Sequence, residues 1–237
     1  MRQNEPSSQL ITGILGGMGP EATLECFKSI INQTPAKTDQ EHLPVIIDNN
    51  PQIPDRTEAI LHDGVSPVPL LQRSARRLES AGADFIIIPC NTAHYFIDKI
   101  EKVVDTPILN MIMATIEELQ PDSIAGLLAT SGTIETGVYD EYSREREDVE
   151  IITPTERDQN IVMEVIYGEK GIKAGYKTTK NKNKLLKVAA GLKKRGAQAI
   201  IAGCTELRLV LSSSDLDNLK LLRPIDIISE KTVQRVI

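Results

Sequence analysis

Cys90 and Cys204 are the residues of this 237-residue chain best suited to chemistry, and they stand 114 residues apart. The same spacing relates their surroundings. With Gly82 set against Gly196, the residues Leu71, Ala75, Leu78, Ala83, Ile86 and Ile87 fall without a gap on Leu185, Ala189, Leu192, Ala197, Ile200 and Ile201. Ile11, Gly13 and Leu15 pair with Ile124, Gly126 and Leu128 at 113, and Pro107 and Ile108 with Pro224 and Ile225 at 117. Such drift is what small loop insertions produce, and the repeat reads as one supersecondary unit used twice. Two like thiols facing one molecule from opposite sides suit the inversion of a carbon centre. A thiolate removes a proton from one face while a thiol returns one to the other, and the roles swap in the reverse direction.

The plain alternative is a pair of small cysteines packed at two strand ends, since buried Cys is common. Against it stand the neighbouring donors, Asn91 and Thr92 after Cys90 and Thr205 after Cys204. Each cysteine also precedes a helical stretch, whose amino end favours a thiolate. A nucleophile with a general base would need a His tied to both cysteines, which His42, His62 and His94 do not offer. A zinc site would want ligands clustered at short spacing, so no metal is expected.

Elements that could position these groups alternate along the chain. Leu10 to Leu15 reads as a strand broken at Gly16 and Gly17, and Leu24, Phe27, Ile30 and Ile31 follow at helical spacing. Val45 to Ile47 is a second strand, ended by Asn49, Asn50 and Pro51. A helix carrying Leu70, Leu71, Ser74, Ala75 and Leu78 closes at Gly82, and the strand Phe85 to Ile88 runs into Cys90. A helix through Ile97, Ile100 and Val104 and a strand from Pro107 to Ile112 complete the first half. Strand and helix in alternation predict an α/β fold of two similar lobes related by a pseudo-two-fold axis, each a parallel sheet flanked by helices. The lobes are expected over 10–120 and 121–237, after a polar, frayed tail over 1–9 without the apolar core of a secretory signal. In open parallel sheets ligands bind beyond the carboxyl ends of the strands, where both cysteines lie.

Composition narrows the remaining classes. Hydrophobic residues make up 41% and charged residues 25%, so the chain can bury a core, and Ile, Leu, Val and Ala must fill it because only 3% is aromatic. No run approaches the roughly 18 apolar residues of a membrane span. With 33 acidic against 27 basic residues, a net charge of -6, no nucleic acid or anionic membrane is expected as a partner. Three dispersed cysteines, with Cys26 on the apolar face of the first helix, argue against a disulfide scaffold and for a reducing cytoplasm.

The segments Gly13-Ile14-Leu15-Gly16-Gly17-Met18-Gly19-Pro20, Asn49-Asn50-Pro51-Gln52-Ile53-Pro54-Asp55-Arg56, Pro89-Cys90-Asn91-Thr92-Ala93-His94 and Gly203-Cys204-Thr205-Glu206 resemble those of the aspartate/glutamate racemases, most closely the aspartate branch. The resemblance runs from about Leu10 to the C-terminus. It implies racemisation of a small acidic amino acid by two catalytic cysteines, Cys90 and Cys204, without a cofactor, in a homodimer. Glutamate racemases normally carry a His where this chain has Glu206, which turns the expectation from glutamate towards aspartate. Glutamate, hydantoins or another carboxylate remain alternatives, as does a solute-binding or regulatory module of the same fold.

For substrate binding, Asn91, Thr92 and Thr205, with the backbone N–H groups around Ala93, could hold the α-carboxylate where charge develops. Arg56 could hold a second carboxylate with its planar fork, unless it is a surface arginine. Lys173, in Gly171-Ile172-Lys173-Ala174-Gly175, joins it by resemblance to a family lysine, against the alternative of a solvated lysine face. Gly16, Gly17 and Gly19 complete neither a dinucleotide fingerprint nor a P-loop, and read as a tight turn with Met18 bordering the cleft. His94, four residues after Cys90, would share its helical face, where it could tune the thiol, steady the substrate, or serve capping and packing.

Overall fold

Strands Thr12–Gly16 (β1), Val45–Asn49 (β2), Phe85–Ile87 (β3) and Ile108–Leu109 (β4) pair in parallel in the order β2-β1-β3-β4. The computed structural model describes residues 9–144 and 146–237, so the expected tail lies outside it but for Gln9. A second sheet repeats the arrangement with Ser123–Leu128 (β5), Val149–Ile152 (β6), Ala199–Ala202 (β7) and Lys220–Leu222 (β8) in the order β6-β5-β7-β8. The central strands carry apolar residues on both faces, as parallel strands covered on two sides must. Ile14 lies beside Ile47 and Ile87, and Leu127 beside Ile201.

The helices of the first lobe are Pro20–Gln33 (α1), Arg56–Leu61 (α2), Val68–Ser80 (α3), Ile97–Glu101 (α4) and Met111–Glu117 (α5). Those of the second are Ser131–Glu135 (α6), Val138–Ser143 (α7), Glu156–Tyr167 (α8), Thr179–Lys194 (α9) and Pro224–Val236 (α10). Leu71, Ala75 and Leu78 of α3 cover the outer face of the first sheet, and Leu185, Ala189 and Leu192 of α9 that of the second. Each fully buried Leu among them contributes about 2 kcal/mol. Gly82 and Gly196 both take the left-handed conformation, φ +91° and +102°, immediately before β3 and β7, so the 114-residue repeat extends to the backbone.

Between the sheets lies one shared core. Ile14, Phe85 and Ile87 of the first sheet and Ala125, Leu127 and Ile201 of the second pack on helices α1, α5, α7 and α10. The last helix, α10, lies against α1 and α5 of the other lobe. No helix among the described residues is long and apolar enough to cross a membrane.

Several expected details are corrected. The strand expected over Pro107 to Ile112 is only Ile108–Leu109, because the Asn110 side chain accepts from the N–H groups of Ile112 and Met113 and starts α5. Pro224 and Ile225 open α10 rather than a strand and are therefore not the structural mates of Pro107 and Ile108. Proline suits a first helical turn, where its missing N–H costs nothing. On α1 the buried side is Ala22, Cys26 and Ile30, while Leu24 and Ile31 are 61% and 40% exposed. Val104 falls beyond the end of α4.

Candidate active site

Each sheet has its topological switch point between its two central strands, the place where a crevice opens in parallel folds. Four loops leave those strands and meet. Met18 follows β1, Cys90 follows β3, Thr130 follows β5 and Cys204 follows β7. They line one cavity together with Arg56, Asn91, Thr92, Tyr167, Lys173, Gly203, Thr205 and Glu206. The structure thus brings together Met18, Arg56, Cys90, Asn91, Thr92, Lys173, Cys204 and Thr205. Free space among them is only about 10 Å³, room for about one water. A roomier cleft of about 190 Å³, bordered by Glu118, Ser123, Gln198 and Lys220, sits at the opposite ends of the second sheet's strands and contains no thiol.

Ala93 is the predicted residue the cavity omits. Its side chain is fully buried in the first lobe's core beside Leu71 and Ile97. The helical stretches after the cysteines open as 3-10 turns: Thr92–Phe96 runs directly into α4, whereas Thr205–Leu209 stands alone. The Cys204 thiol moves in the opposite direction to the one a helix start would give. Burial first, then the negative charge of Glu206, pushes it well above its ordinary pKa.

The second cysteine sits in a charged chain. Its Sγ donates to Glu206 Oε2 at 3.1 Å, Thr205 Oγ1 donates to the same oxygen at 3.2 Å, and Glu206 Oε1 accepts from Lys173 Nζ at 2.6 Å. Burial opposes the Glu206 charge, yet Lys173 and the donors hold its carboxyl below the usual range. Burial opposes the Lys173 charge as well, and Glu206, Cys204 and Cys90 together outweigh it, keeping the ammonium above its ordinary value.

On the other side Arg56 is no surface residue: it is 7% exposed. Asp55 caps α2 by accepting from the N–H groups of Thr57 and Glu58, which fixes where Arg56 begins. Its guanidinium donates to the carbonyls of Ile53 and Pro54 and faces Cys90, leaving Nε buried and unpartnered. Desolvation disfavours that cation, but Cys90, Asp55 and Tyr167 together hold it above its ordinary value.

His94 is fully buried away from the cavity. Its Nδ1 donates to the Cys90 carbonyl at 2.9 Å and its Nε2 accepts from the Met111 N–H at 3.1 Å. Those two bonds define a neutral imidazole, and burial lowers its pKa to about 4. It therefore braces the Cys90 backbone against the start of α5. Cys26 packs between the lobes against Ser229, where burial pushes its thiol up to about 12.

Four lining residues escaped the sequence reading as site residues: Thr130, Tyr167, Gly203 and Glu206. Thr130 had a signal, since it follows β5 as the Gly17 turn follows β1 in the repeat. Its hydroxyl, with those of Thr92 and Thr133, forms a closed triangle of hydrogen bonds of 2.8 to 3.1 Å. Tyr167 carried no signal; it reaches across the lobes to donate to Asp55 Oδ2 at 3.0 Å. Among the described residues no group of three or more His, Cys, Asp or Glu side chains could hold a metal ion.

The family model for Asp/Glu/hydantoin racemases matches residues 15–231. The chain is 32% identical over 134 residues to the broad-specificity amino-acid racemase RacX of Bacillus subtilis, covering 54% of this chain and 57% of that protein. It spans little more than half the length of the curated relatives it matches. Picrophilus torridus aspartate racemase has a similar structure, with a TM-score of 0.81 and 29% identity over 95% of this chain and 94% of that one. An aspartate racemase homologue from Pyrococcus horikoshii gives 0.75 and 25% over 96% and 99%.

Proposed function

The chain belongs to the Asp/Glu/hydantoin racemase family, and from that premise we propose that it interconverts L- and D-aspartate by proton transfer between Cys90 and Cys204, without a cofactor. One juxtaposition supports this reading: thiols from equivalent strand ends of the two lobes line a single cavity that also holds Arg56 and Lys173. A thiolate on one side removes the α-proton, and the thiol opposite delivers its own proton to the other face. The negative charge that develops on the α-carboxylate is met by the Asn91 amide and by the backbone N–H groups of Thr92 and Thr205, whose hydroxyls are already engaged within the protein. Arg56 meets a carboxylate with its fork, and the buried setting strengthens that contact.

A wider substrate range is the second reading, favoured by the Lys173–Glu206 pair. The cation that would meet a side-chain carboxylate already has one within the protein, at 2.6 Å. Chiral chromatography of L-aspartate, L-glutamate and neutral L-amino acids incubated with the purified protein, without pyridoxal, tests both. Formation of D-aspartate alone supports the first reading, D-isomers across the panel support the second, and the absence of every D-isomer overturns both.

A further inference from the structure

The two polar atoms of the Asn91 side chain are treated differently. Oδ1 accepts a hydrogen bond of 2.7 Å from the Tyr139 hydroxyl. Nδ2 is buried with no partner, in a side chain that is 2% exposed and lines the cavity beside Cys90. Tyr139 belongs to the other lobe. It stands on α7, also 2% exposed, with its ring in the core between the sheets. Burial, against a smaller opposing effect of Thr115, keeps the phenol above its ordinary pKa and therefore protonated. A phenol can accept as well as donate, but here it donates to the amide oxygen at 2.7 Å, and the NH₂ is turned to the far side. The neighbouring hydroxyls of Thr92, Thr130 and Thr133 are satisfied by one another and do not take up those hydrogens. A buried donor left without an acceptor costs stability that a ligand's acceptor would return.

We propose that Tyr139 is a positioning residue that locks the Asn91 amide with its NH₂ towards the cavity, where it donates to a carboxylate of the bound amino acid. This rests on the racemase reading for the identity of the ligand. Without the phenol the amide is free to turn over, and its carbonyl would then face the carboxylate and repel it. Tyr139 touches no substrate, and it works by deciding which end of Asn91 does.

The test is a double-mutant cycle with Tyr139→Phe, which keeps the ring, and Asn91→Ala. In the wild-type background Tyr139→Phe should raise KM by about tenfold with a smaller change in kcat. In the Asn91→Ala background it should change KM by less than about twofold. An unchanged KM in the first background, or an undiminished effect in the second, overturns the proposal, because a packing role would not depend on Asn91. A second readout needs no turnover: the Asn91 side-chain NH₂ signal, assigned by its loss in Asn91→Ala, should move in Tyr139→Phe, and an unmoved signal overturns the proposal. An inactive wild type would therefore count against the racemase reading alone and leave the amide signal to decide this one.

Discussion

Glu206 Oε2 accepts the Cys204 thiol at 3.1 Å, while its other oxygen holds Lys173 at 2.6 Å. The carboxylate thereby keeps the proton on Cys204 and occupies the cation that would draw it off. Glu206→Gln removes an adjacent negative charge and frees a positive one, and both changes lower the Cys204 pKa. In the direction that draws on the Cys204 thiolate, the pH of half-maximal kcat should fall by about one unit. Rates at saturating L- and D-substrate across pH provide the measurement, and profiles unmoved in both directions would remove Glu206 from the proton inventory.

Cys90→Ser and Cys204→Ser should each abolish racemisation, since an alkoxide at either position is far too costly to form near neutral pH. In heavy water the wild type should place deuterium at the α-position of the D-product. Full turnover by either variant, or product without deuterium, contradicts proton transfer between the two cysteines.

Arg56→Ala should raise KM for aspartate by tenfold or more, the order expected when a charge-assisted contact of about 1.5–3 kcal/mol is lost. Arg56→Lys should recover little, because an ammonium cannot keep the bonds to Ile53 and Pro54 and the approach to Cys90 together. Steady-state kinetics beside a melting curve separates this from unfolding; wild-type KM would return Arg56 to a structural role.

His94 ties stability to pH. Its pKa is about 4 when folded, against an ordinary 6.5. Between those values the unfolded chain binds the extra proton, so stability rises with pH and is lost as pH falls from 6.5 towards 4. The full contribution is about 3 kcal/mol. His94→Gln should flatten the dependence of Tm on pH in that window, and an equally steep curve in the variant would assign the loss to other groups.

How much of this was legible depended on the range of the interaction. Periodicity and the 114-residue repeat exposed both sheets and the cysteine pair, because strands and their terminal loops are encoded locally. Local capping was harder: the amide of Asn110 converted an apolar run into a helix, and no hydropathy pattern shows that. The Ala93 side chain turns inward for a related reason, since a 3-10 turn sends consecutive residues to different sides, and Thr92 lines the cavity while the Ala93 methyl is buried in the core. Tyr167 and Tyr139 were invisible, because their partners Asp55 and Asn91 lie 112 and 48 residues away and meet them only once the lobes pack.

Gly17 shows how narrowly the first loop is shaped. It sits at φ +97°, and a Cβ there would come within 2.3 Å of the Asn50 backbone. Gly17→Ala should cost about 2 kcal/mol or more, lowering Tm by on the order of 5 °C. A calorimetric Tm equal to wild type would refute that crowding.

The helical layer shared between the two sheets ties each lobe to the other. A single lobe made alone would leave the inner sides of its α1 and α5 bare, and what covers them here is α10 of the other lobe. Two identical half-length chains meeting about a two-fold axis would bring two identical cysteines to one pocket. One chain carrying both halves is free of that sameness. A guanidinium stands beside one thiol and a carboxylate beside the other, a division of labour that two identical halves could not hold.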